Sequence, residues 1–177
     1  DPRVAYNSTD NEYLVVWRGD DDTGSLVNGE YEIFGQLIDG ATGAEIGSDF
    51  RISDMGATDG STSFQAFSPT VTYNATNKLY LVVWHGDDDT APLVNNEQEI
   101  FGQLLTAAGA ETGTNDFRIS DMGPDGNVAY DALYSDVAWN ATDNEFLVVW
   151  QGDDDTGSLV DQEHEIFGQL IDGATGA

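Results

Sequence analysis

Apolar residues in this chain fall in short runs broken by polar clusters. "VAYN" from Val4, "EYLVVW" from Glu12, "EIFGQLI" from Glu32 and "FRIS" from Phe50 are rich in β-branched and aromatic residues, and Asn, Asp, Gly and Ser separate them. Runs of this length and composition predict strands, with helix almost absent. In "EIFGQLI" the alternation puts Ile33, Gly35 and Leu37 on one face and Phe34, Gln36 and Ile38 on the other. "YLVVW" is apolar on both faces, as a central strand is. Gly35 marks a bulge or a close backbone approach. "NSTDN" from Asn7, "NATNK" from Asn74 and "NATDN" from Asn140 are short polar turns of hairpin type. The predicted unit is a meander of four antiparallel strands.

The unit repeats. Residues 1–3 close a preceding repeat, residues 4–70 form the first full unit, 71–136 the second, and 137–177 an incomplete third. Trp17, Trp84 and Trp150 mark the period, 67 and then 66 residues apart. Between residues 4–44 and 137–177, 34 of 41 positions are identical and 7 differ, which points to tandem duplication. Four strands per unit with one recurring tryptophan predict an all-β fold of β-propeller-like blades, or a linear stack of them, about two and two thirds repeats long.

The residues also carry a resemblance. "P-x-V-x-Y-N", "Y-L-V-V-W", "E-I-F-G-Q-L" and "F-R-I-S" in this order resemble the repeat of bacterial secreted and cell-surface proteins that form propeller-like arrays. That family writes its third strand as an acidic residue, Ile, an aromatic, Gly and Gln, here Glu32 to Gln36. The resemblance covers essentially the whole chain and implies a fold and an extracellular or cell-surface setting, but little chemistry. The connection from Arg18 to Tyr31 departs from the family pattern by being longer and more acidic. Blades with open edges predict either a longer parent chain or self-association in which neighbouring copies cover the edges.

Composition narrows the partners. Of 177 residues, 40% are hydrophobic and 11% aromatic, ample for a core. The 33 Asp and Glu against 5 Lys and Arg give a formal net charge of −28, which repels nucleic acid and anionic lipid and leaves cations or neutral groups as partners. No apolar run reaches the length of a membrane helix, so no membrane insertion is expected. Cysteine is absent, so no disulfide constrains the fold.

The acidic connection carries Asp20, Asp21, Asp22, Glu30 and Glu32, repeated as Asp87, Asp88, Asp89, Glu97 and Glu99, and again as Asp153, Asp154, Asp155, Glu163 and Glu165. The neighbouring position varies freely as Arg18, His85 or Gln151, whereas all five carboxylates stay fixed. Hard cations take six to eight oxygen ligands, so these residues are candidate ligands for calcium as a rigidifying cofactor. Zinc and copper favour His or Cys, and His85 and His164 fall at different positions of the repeat. The bland alternative is a solvated acidic surface, as in adaptation to high salt.

A second acidic group, Asp49, Asp54 and Asp59 with its copy Asp116, Asp121 and Asp125, surrounds Gly-rich turns. It is read as turn chemistry or a second calcium site, with Arg51 and Arg118 pairing to neighbouring carboxylates. The repeated tryptophans are core candidates, although an exposed rim of them would suit sugars. Asn7, Asn74 and Asn140 head three N-glycan sequons at the hairpin turns. No nucleophile elbow, phosphate loop or single catalytic constellation appears, and an active site is usually unique in its chain. The expected function is a non-enzymatic extracellular structural module of a surface layer, adhesin or filament. The alternatives are a carbohydrate- or protein-binding propeller, and the non-catalytic portion of a larger secreted hydrolase.

Overall fold

Three antiparallel sheets of four, four and three strands stand in chain order in the computed structural model, which describes residues 1–154, 157, 159–160 and 162–177. The first holds β1 (Arg3–Asn7), β2 (Glu12–Asp20), β3 (Tyr31–Asp39) and β4 (Glu45–Arg51). The second holds β5 (Ala66–Asn74), β6 (Leu79–Gly86), β7 (Glu99–Thr106) and β8 (Glu111–Arg118), and the third β9 (Ala132–Asn140), β10 (Glu145–Asp153) and β11 (His164–Asp172). Each sheet is a meander in which sequence neighbours pair, and none closes on itself. The described residues include no helix.

The hairpin turns follow from their residues. Asn11, Lys78 and Asn144 take the left-handed conformation (φ 56°, 58° and 58°) at one equivalent turn position, which asparagine tolerates well. Gly35 pairs with Phe50 while Leu37 pairs with Ile46, so β4 carries extra residues opposite one step of β3. Gly35 itself marks a close approach, because a Cβ there would sit 2.8 Å from Ile52 Cδ1. Gly102 repeats the arrangement, with Ile119 Cδ1 at 2.9 Å.

Two expected boundaries are corrected. The fourth strand runs from Glu45 to Arg51 and ends inside "FRIS", because Ile52 and Ser53 turn away to bury against the sheet. The acidic connection is shorter than Arg18 to Tyr31, because β2 continues to Asp20, which pairs with Tyr31.

The sheets are stacked through their side chains. Ala5, Leu14, Val16, Ile33 and Leu37 of the first sheet bury against Tyr73, Tyr80, Val82, Trp84 and Leu105 of the second. Leu81, Val83, Ile100 and Leu104, on the other face of the second sheet, bury against Phe146, Val148, Trp150 and Ile171 of the third. The middle sheet is therefore buried on both faces, which is why β6 is apolar at successive positions. β1 lies beside β5, and β5 beside β9.

Candidate functional site

The recurring carboxylates sit where backbone N–H groups leave the strand ladder and need acceptors. Asp20, at the end of β2, accepts from the N–H of Gly29 at 3.0 Å. Its copy Asp87 accepts from Asn96 at 2.9 Å and Gln65 at 3.1 Å, and Asp153 from Gln162 at 2.7 Å. Asp21 closes a local turn by accepting from the N–H and hydroxyl of Thr23, and Asp88 does the same to the N–H of Thr90. Asp89 reaches across to the N–H of Ala57, in the segment between the first two sheets. Asp22 is exposed, Asp154 is buried, and Asp155 lies outside the described residues.

The glutamates fasten loops over longer range. Glu30 accepts from Val27 at 3.0 Å and from Gly60, 30 residues away, at 3.1 Å. Glu97 copies both bonds, to Val94 and to Gly126, each at 3.0 Å. Glu32 accepts from the hydroxyl of Ser53 and from the N–H of Met55 at 3.0 Å, while Ser53 in turn accepts from Ile33 N–H at 2.8 Å. Glu99 repeats the set with Ser120, Met122 and Ile100. Among the described residues Glu163 keeps the short-range bond, to Val160, and Glu165 is exposed. Each such bond gives a backbone donor that has left the ladder an acceptor, and so ties the loops to the sheets in the first two units.

Burial pushes Glu32 up to about 8 and Glu99 up to about 7, even though the bonds from serine and methionine oppose the rise. Asp116 is likewise pushed up to about 7, first by burial and then by Glu111, Asp54 and Asp88 nearby. Among the described residues, no three His, Cys, Asp or Glu side chains form a group able to hold a metal ion. At the third sheet Asp131 Oδ1 and Asp153 Oδ1 are buried without a hydrogen-bond partner, as is Ser135 Oγ. Asp131 and Asp153 are neighbours, since Asp153 N–H donates to the Asp131 carbonyl at 3.1 Å.

In the second acidic group the arginines are paired. Arg51 bridges Asp54, at 3.2 Å, and Asp59, and Arg118 bridges Asp121 and, at 2.7 Å, Asp125. Asp116 accepts from the N–H of Asp54 at 2.9 Å, and Asp49 lies in β4. The hairpin turns do not display all three sequons. Asn7 and Asn74 are fully buried with their side-chain amides engaged, Asn74 donating to the Gly173 carbonyl at 2.7 Å, whereas Asn140 is exposed.

One group escaped the sequence reasoning because it occupies the variable positions of the repeat. The guanidinium of Arg18 lies 4.5 Å from the ring centre of Tyr31 and 5.2 Å from that of Phe67. Phe67 stacks on His85 at 5.6 Å, and His85 meets the edge of Tyr134 at 5.8 Å. This run crosses all three sheets and ends on the exposed Tyr134, whose φ of 56° is strained for a bulky residue. Burial holds the His85 imidazole down to about 4, so it is neutral at physiological pH.

No family model matches the chain, and no curated protein matches it. Among solved structures it is similar in fold to an N-acetylgalactosamine deacetylase from F. plautii, solved in complex with blood group B trisaccharide, with a TM-score of 0.53 and 11% identity. The similarity covers 96% of this chain and 48% of that one, so the chain spans about half the length of this neighbour.

Proposed function

We propose that the chain is a non-enzymatic, extracellular structural module whose stacked sheets are propeller-like blades, of the kind that builds a surface layer, adhesin or filament. One observation carries this. The carboxylates that recur in every unit are spent on construction: Glu30 and Glu97, like Glu32 and Glu99, use both oxygens or both bonds to fasten loops to sheets. Their recurrence has a structural cause in the first two units, which a catalytic pair occurring once does not explain. Calcium would enter at the third sheet, where Asp131 and Asp153 each bury an unpartnered oxygen and where burial first, and then the charge of Asp153, pushes the Asp131 carboxyl up. The test is a screen of the purified chain for hydrolase and transferase activity on polysaccharide and peptide substrates, alongside a pull-down on cell-wall material. Retention without turnover supports a structural module, and turnover overturns it.

A second reading is a carbohydrate-binding or hydrolase-associated propeller. It draws on the aromatic run ending at exposed, strained Tyr134 and on the fold neighbour, which is a carbohydrate-processing enzyme about twice as long. An exposed aromatic face suits the apolar side of a sugar ring. Glycan-array binding that Tyr134→Ala abolishes would favour it over the structural module.

A further inference from the structure

The first and third sheets expose opposite halves of an interface that the chain builds twice within itself. One half is Leu14, Val16, Ile33 and Leu37 on the first sheet, repeated as Leu81, Val83, Ile100 and Leu104 on the second. The other half is Tyr80, Val82 and Trp84 on the second sheet, repeated as Phe146, Val148 and Trp150 on the third. The third sheet carries the first half again, as Leu147, Val149, Ile166 and Leu170, but uncovered. Ile166 is 74% exposed where Ile33 and Ile100 are 0%, and Leu170 is 54% exposed where Leu37 is 5% and Leu104 is 2%. The first sheet carries the second half uncovered, as Tyr6, Tyr13, Val15 and Trp17, with Tyr6 47% exposed against 8% for Tyr73.

We infer that the exposed face of the β9–β11 sheet receives the β1–β4 sheet of a second copy of this chain, head to tail. The inference rests on the stacked-sheet part of the function proposed above and on neither its calcium nor its lack of catalysis. Identity of the seat chooses the occupant: Leu147, Val149, Ile166 and Leu170 are the same residue types, at the same register, that already hold such a sheet at both internal seams. Two β9–β11 faces set against each other would oppose aliphatic residues to aliphatic residues, without the tyrosine and tryptophan that fill the other half of each internal seam. Because every copy offers both halves, the contact is heterologous, and repetition gives a ring if the rotation closes and a filament if it does not.

Two features set its strength. A formal charge of −28 on each copy opposes approach, so association needs salt. At both internal seams a methionine, Met55 or Met122, accepts from the tryptophan of the next sheet, and the chain holds only these two methionines, so Trp17 of the incoming copy lacks that partner. The seam between copies is therefore weaker than the seams within one.

Sedimentation equilibrium of the 177-residue chain at about 1 M NaCl, where the screening length is about 3 Å, tests this. Ile166→Lys with Leu170→Lys spoils the seat, and Tyr6→Lys with Tyr13→Lys spoils the opposing half. Threonine at the same pairs keeps strand propensity should lysine impair folding, and far-ultraviolet dichroism verifies the fold of each. The wild-type chain is expected to associate with concentration, and each double variant to raise the dissociation constant about 30-fold or more. An equimolar mixture of the two variants should form a one-to-one dimer and stop there, since each copy keeps one good half. A folded wild-type chain that stays monomeric overturns the inference while leaving the structural module standing, and so does a Tyr6/Tyr13 variant that still dimerises alone, which marks face-to-face pairing. A chain without stacked sheets on structure determination fails both.

Discussion

Met55 Sδ accepts a hydrogen bond from the indole nitrogen of Trp84 at 3.3 Å, and Met122 takes the same bond from Trp150 at 3.3 Å. Each methionine is held at its backbone N–H by a buried glutamate of its own sheet, Glu32 or Glu99, and presents its sulfur to the next sheet. Sulfur is a weak acceptor, but a buried indole N–H without any partner carries a desolvation cost. The line from glutamate through methionine to tryptophan thus fixes where one sheet sits on the next. It also accounts for three recurring features at once: the glutamate before "IFGQ", the methionine after "FRIS", and the tryptophan that marks the period.

The three tryptophans should consequently differ in worth. Trp84 is fully buried between two sheets, whereas Trp17 stacks on Phe34 at 6.5 Å on a face with no sheet over it. Trp84→Ala is expected to cost about 3–5 kcal/mol, the usual range for deleting a buried large aromatic. Trp17→Ala should cost about 1 kcal/mol or less in the monomer. Urea denaturation at low protein concentration measures both, and equal losses would contradict the burial difference.

The loop clamps give a second expectation. Glu97→Ala removes the acceptor from the N–H groups of Val94 and Gly126, in an environment where Glu97 itself is fully buried. Leaving such donors unsatisfied costs about 1–3 kcal/mol. Limited proteolysis should then cut the segment between β8 and β9 first, ahead of any strand, whereas Asp22→Ala at an exposed position should change neither rate nor stability measurably.

Much of the fold was legible because the period of two and the tandem copies are local signals. The pairing of "YLVVW" with "EIFGQ", the hairpin turns and the bulge at Gly35 all follow from residues close in sequence. The three antiparallel sheets emerged from the same signals. What the sequence concealed was the destination of the charges. Five fixed carboxylates per loop read as a cluster, yet Glu30 and Gly60 are 30 residues apart, and Glu32 turns toward Ser53 and Met55, 21 and 23 residues further on. Spacing along the chain does not reveal which oxygen meets a donor from another loop. The sequons misled for a similar reason: an asparagine that caps a turn from inside, as Asn74 does, shares its sequence with one that faces water.

Calcium makes a separable prediction. If an ion is recruited by the unpartnered oxygens of Asp131 and Asp153, calorimetry should detect uptake with an affinity on the order of 10⁻⁴ to 10⁻³ M, the range of extracellular modules. A chelator should lower the melting temperature, and Asp153→Asn should remove both effects, while Asp20→Asn leaves them in place. A melt unchanged by chelator, with no uptake, would leave the loops to their hydrogen bonds alone.

Acidification should stabilise this protein down to about pH 5, against the usual trend. Glu32 and Glu99 are raised by burial from an ordinary value of 4.5 to about 8 and about 7 in the folded chain. Between those limits the unfolded chain has released these protons and the folded one retains them. Their contribution is therefore complete below about pH 4.5 and is lost as pH rises through 7 to 8. Asp39, Asp59 and Asp172 act in the opposite sense, since hydrogen bonds to Thr42, Ser25 and Thr175 hold them below the usual 3.8, and their contribution fades only as pH falls through those lowered values. The melting temperature should thus climb from pH 8 to about pH 5 and fall again in stronger acid. General relief of negative charge would add to the climb, so the comparison belongs at high salt with the variant Glu32→Gln, Glu99→Gln, which carries the neutral form at every pH. That variant should keep only the shallower slope left by Asp116, raised to about 7 and acting in the same sense, and by His85, held down to about 4 and acting in the opposite sense below about pH 6.5. A slope as steep as the wild type's would show that these two glutamates do not set it.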